Sequence, residues 1–209
     1  MDLDCLTSFL RVNLKVNSIW HIAAAVLVTV LTPVIFSLSS LTKVMVAQPL
    51  EMYLSLTGIL LLTPVFLPEE NPCILDVVRV RKVSYLGTCL LRICYLTVVL
   101  VLLYAAVAWL LLHGECVVDM PGLFGGIVTA FFLGSIGIAG AGMSGNTVIG
   151  YMFSMVYYFV NFFEKDRLGV FYLFSMSTQT DISKLWLLAG SAVLLGVTFG
   201  YMKMVRKVN

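Results

Sequence analysis

"LLLTPVFLPEENPCILDVVRVRKVSYLGTCLLRICYL", residues 60–96, decides the fold. It leaves one apolar run at Pro64 and Pro68, crosses a charged segment, and enters a second apolar run at Leu86. Asn71 followed by Pro72 is a good helix start, because Asn caps and proline suits a first turn. Glu69 and Glu70 fall at the positive end of that helix, and Arg79, Arg81 and Lys82 at its negative end. Ile74, Leu75, Val77 and Val78 give it an apolar side. The segment reads as a short charged helix over 70–83, with Asp76 on it. Its apolar side either rests on lipid headgroups or docks on a partner.

The rest of the chain is built the same way. Of its 209 residues 60% are hydrophobic and 11% charged, and the mean hydropathy is +1.01. A soluble domain carries about 25% charged residues, so most of this surface does not face water. A membrane-crossing helix needs about 20 apolar residues. Six such runs occur, at 19–38, 50–67, 86–112, 122–143, 146–163 and 185–202. They are continuously apolar, whereas barrel strands alternate. The expected fold class is an all-α integral membrane protein of six transmembrane helices, forming a single domain over 1–209. The first run is read as an uncleaved span, since it is long for a signal peptide and Asp2 and Asp4 precede it.

The distribution of Lys and Arg sets the orientation. With the N-terminus in the cytoplasm, Arg11, Lys15, Arg79, Arg81, Lys82, Arg92, Lys203, Arg206 and Lys207 lie inside. Lys43, Lys165, Arg167 and Lys184 lie outside. Nine against four places both termini in the cytoplasm. The net charge of +2 is too small to imply nucleic acid. Cys116 is alone in an outer loop, so no internal disulfide is expected there.

Shorter features complete the plan. Leu3, Leu6, Leu10 and Leu14 recur at helical spacing, which predicts an interfacial helix over 1–18 against membrane lipid. The stretch 164–183 has an apolar middle too short to span, which suits a re-entrant or interfacial outer segment. Small residues recur four apart in the fourth run (Gly122, Gly126, Ala130, Gly134) and in the sixth (Ala192, Gly196, Gly200). Such stripes let helices approach closely, within one subunit or between two. Pro33 and Pro64 predict kinks in the first and second spans.

No chemistry-bearing motif survives inspection. "GIAGAGMSGN", residues 137–146, contains G-x-G-x-x-G, but apolar spans stand where a strand and a soluble helix belong. Its G-x-S-G resembles the nucleophile motif of rhomboid proteases, but that serine needs a histidine on the sixth span, and the histidines are His21 and His113. The stretch reads instead as a tight reversal, with Asn146 capping the fifth span. No catalytic residue, metal site or P-loop is expected. Arg92 is read as snorkelling to the headgroups, with a substrate or partner contact as the alternative, and Glu51 and His21 as interfacial.

The order of these features resembles the transmembrane subunit of type-2 ABC transporters, the exporter-like permeases. Two stretches carry the resemblance, residues 60–96 and "LGSIGIAGAGMSGNTVIGYMFSMVYYFV", residues 133–160. The chain departs from the family in its short outer loops and lack of a large extracellular domain. The resemblance implies a permease in the plasma (inner) membrane that exports its substrate along a path shared with a second permease subunit. It implies a separate cytoplasmic ABC ATPase subunit that holds ATP and Mg, so that this chain is not itself an enzyme and carries no cofactor. The loop after the second span would be the coupling helix, with Glu69, Glu70, Asp76, Arg79, Arg81 and Lys82 as charged contacts to the ATPase. Gly196 and Gly200 would pack against the second permease. A non-transporting membrane protein, a scaffold or self-protection factor, is the alternative.

Overall fold

A computed structural model of the chain describes residues 18–36, 41–70, 85–114, 116, 118–163, 169–176 and 184–205. The described residues are helical, with no strand among them. Helix α1 is Ile19–Phe36; α2, Lys43–Gln48, and α3, Leu56–Leu62, belong to one composite rod. Then come α4, Tyr85–His113, α5, Met120–Ser144, α6, Thr147–Phe163, and α7, Leu185–Val205. Five stretches are long and apolar enough to cross a membrane: Ile19–Phe36, Met45–Pro68, Leu86–His113, Met120–Ser144 and Leu185–Met204. The 17-residue α6 is apolar but shorter. At 1.5 Å per residue it spans about 26 Å, a little under the hydrocarbon thickness.

The surface identifies the surrounding solvent. On α6 the buried residues are Thr147, Gly150, Ser154 and Asn161. Its exposed face carries Val148, Met152, Phe153, Val156, Phe159 and Phe163. Small and polar groups inside with apolar groups outside reverse the pattern of a helix in water. In lipid there is no hydrophobic drive between helices, so close contact and hydrogen bonds select the inward face. The same apolar exposure recurs along α1, α4 and α7. The protein is a multi-pass membrane protein.

At the centre lie the composite rod and α5, whose apolar windows are 72% and 67% buried. The rod is the irregular element. After α2 it widens into a π-helical turn, Pro49–Tyr53, in which the Leu54 N–H bonds to the Pro49 carbonyl at 2.8 Å. After α3 it tightens into a 3-10 helix, Thr63–Glu70, broken at Pro64, where φ is −81° and ψ 17°. The kink expected at Pro64 is present, while α1 continues through Pro33.

The fourth-span stripe serves this fold. A Cβ at Gly134 would meet the Leu62 side chain and the Gly58 carbonyl, at 2.4 and 2.8 Å. Gly126 and Ala130 are buried on the same side. The sixth-span stripe differs, since a Cβ at Gly196 or Gly200 would have nothing within 4 Å.

Candidate functional site

Two regions of the rod, the π turn and the 3-10 end, hold its buried charged groups and the side chains that bond them. At one end, the π turn brings Glu51 to the starts of α5 and α7. Lys184 Nζ stands 2.7 Å from Glu51 Oε1, and the two side chains are 7% and 0% exposed. An ammonium has three protons to place. Here they go to Glu51, to Thr129 Oγ1 at 3.2 Å, and to the Leu173 carbonyl. Glu51 Oε1 also accepts the Met176 N–H at 3.3 Å. Burial pushes Lys184 below the ordinary lysine range, and the charge and hydrogen bond of Glu51 draw it back.

This pair is the centre of a larger polar network. The π turn offsets carbonyls from the helical ladder, and tyrosines reach them. Tyr104 Oη lies 3.0 Å from the carbonyls of both Leu50 and Gly126, and Tyr158 donates to Met52 at 2.9 Å. The segment at 169–176 runs beside them, with Tyr172, Leu173, Phe174 and Ser175 all buried. Beyond its short 3-10 turn, Gly169–Phe171, a backbone without a helical ladder at this depth needs partners from the protein itself. Leu173 N–H donates to Asn161 Oδ1 at 2.9 Å, and the Phe171 carbonyl accepts from Tyr157 at 2.8 Å. Glu51 and Lys184 complete the set. The apolar middle of the expected outer segment is thus seated among the helices, against Ile59, Val128, Phe132 and Leu133. Residues 164–168 and 177–183 of that segment lie outside the described residues.

At the other end, three gaps in the backbone are closed by three different side chains. The Val65 carbonyl faces Pro68 three residues on, and proline has no N–H to offer it. Arg92 Nη1 donates to it at 3.0 Å, and Arg92 is 5% exposed. The arginine read as snorkelling is instead buried in the bundle, and Glu51, read as interfacial, is wholly buried. Next to this, Gly145 ends α5 at φ 77°, a conformation natural to glycine. Asn146 caps α6 through Oδ1 to the Val148 N–H at 2.8 Å, as its sequence position suggested. The Glu70 carboxylate accepts the N–H of Thr147, the first residue of α6. A Cβ on Gly150 would meet the Gly137 carbonyl at 2.5 Å, so the two helices separate from the turn in close contact.

Of the charged contacts expected on the coupling loop, Glu70 is placed as above. The backbone of Glu69 is described but its side chain is not, and Asp76, Arg79, Arg81 and Lys82 lie outside the described residues. So does the expected interfacial helix, apart from Ser18. Sequence reasoning missed the network at Glu51. The available signal was one acid and one base at the edges of apolar runs, Glu51 two residues after Pro49 and Lys184 immediately before Leu185. No protein-family model, curated protein or solved structure matches the chain.

Proposed function

We propose that this chain is the permease subunit of an ATP-driven exporter of the type-2 ABC class. In this reading all six apolar helices cross the plasma (inner) membrane, both termini are cytoplasmic, and the Glu70 end of the bundle faces the cytoplasm. A second permease subunit completes the path, and a separate ATPase subunit supplies ATP and Mg. The observation that carries the reading is the bond from Thr147 N–H to the Glu70 carboxylate. It ties the start of the 71–84 loop to the start of α6. A push on that loop by a partner would therefore reach the rod and α6 together. The open faces of Gly196 and Gly200 support a neighbour on α7.

The test is charge reversal at Arg79 and Arg81 together. The expected result is loss of co-purification with the ATPase, or ATPase activity no longer stimulated by transport, with the helical bundle intact by circular dichroism. Unchanged assembly together with unchanged transport removes the coupling role from this loop.

A further inference from the structure

The segment at 169–176, buried over 172–175, differs from the long helices among the described residues. Its central backbone polar groups are held by side chains of other elements. The Leu173 N–H goes to Asn161, the Leu173 carbonyl to Lys184, the Met176 N–H to Glu51 and the Phe171 carbonyl to Tyr157. A helix shares its bonds along a cooperative ladder. This segment has one short 3-10 turn, Gly169–Phe171, closed by the Tyr172 N–H on the Gly169 carbonyl at 3.3 Å, and no longer ladder, so it can leave as a unit once its side-chain partners let go. Two of those partners are one ion pair. Glu51 Oε1 accepts from both Lys184 and the Met176 N–H, so a single carboxylate holds both the start of α7 and the end of the segment. Glu51 itself sits in the π turn of the rod, where the helical ladder is already interrupted.

We propose that residues 169–176 form a strap latched by the Glu51–Lys184 pair, and that the strap opens as a unit while the helices stay packed. The bundle then has two states that differ at one end, strap seated and strap released. A shift or rotation of the rod at the π turn is the motion that separates Glu51 from Lys184 and from the Met176 N–H. Movement of the rod and release of the strap are thereby one event. The latch needs no partner subunit and no transport, so it stands or falls separately from the exporter reading.

Hydrogen exchange on the purified full-length protein in lipid nanodiscs tests this. In the wild type, the buried amides of 172–175 should exchange at least about tenfold faster than those of the buried middle of α5, because local opening precedes global unfolding. The variant E51Q/K184M removes both charges without leaving one unpaired. It should speed exchange in 169–176 by a further tenfold or so and leave α5 unchanged. Wild-type protection equal to that of α5 overturns the proposal. So does a double variant with no change at 169–176, or one whose increase spreads evenly through α5. If E51Q/K184M does not fold, Glu51→Asp carries the same test, since it keeps the charge and shortens the reach by one methylene. A smaller rise confined to 169–176 is then expected, and no confined rise overturns the latch.

Discussion

The Glu51 end and the Glu70 end of the rod meet the same difficulty in different ways. Each is a place where helical hydrogen bonding stops, deep in the bundle at the first and partly exposed at the second. At the Glu51 end the stranded groups share a network in which Glu51, Lys184, Thr129 and Asn161 serve several partners. At the Glu70 end each stranded group has its own side chain: Arg92 for Val65, Asn146 for Val148, Glu70 for Thr147. A shared network fails together, because removing one member leaves the others desolvated and unpaired. Separate ties fail separately. The first end is therefore suited to a two-state device, and the second to fixed geometry.

The strongest way to break this comparison is Lys184→Met alone. It leaves the Glu51 carboxylate buried without its counter-charge, and breaking a buried pair in this way costs about 3–5 kcal/mol. A large fall in melting temperature in detergent is expected, with most of it recovered when Glu51→Gln is added. A single variant no more costly than the double would mean that the two charges are not interdependent, and the contrast between the ends would disappear.

Arg92→Met asks the same question of the other end. The Val65 carbonyl would lose its arginine donor, at about 1–3 kcal/mol for a buried group left unsatisfied. The loss should add to that of Lys184→Met, because sites without shared partners are additive to within about 0.5 kcal/mol. A coupling energy well above that in a double-mutant cycle would show that the two ends form one network.

The features legible in the sequence and those that were not differ in range. The spans were legible because lipid demands continuous apolar surface over a helix length. The break at Pro64 and the cap at Asn146 were legible because each acts on its own backbone or the next turn. Glu51 and Arg92 were misread for a common reason. A lone charge near the end of an apolar run looks the same whether it reaches to headgroups or inward to a partner. The partners, Lys184 for one and a carbonyl freed by Pro68 for the other, are brought near only by packing. The inverted polarity of α6 was readable in principle. Gly150, Ser154 and Asn161 fall at helical spacing, and in lipid that stripe marks the inner face. The fourth and sixth small-residue stripes could not be told apart, since only the packed rod covers the first.

The smallest expected effect sharpens the contrast most. Glu70 is exposed, and its carboxylate accepts one N–H at the first turn of α6. Glu70→Gln keeps an acceptor in the same place and removes the negative charge from the helix N-terminus. That interaction is worth about 0.3–1 kcal/mol at an exposed site, so the melting temperature should barely move. Hydrogen exchange should quicken only in the first turn of α6, with 169–176 unaffected. If this mild change loosened the strap at the far end of the rod, the two ends would be mechanically joined along its length. The rod would then be the coupling element, and the division between a shared network and separate ties would hold only for the static structure.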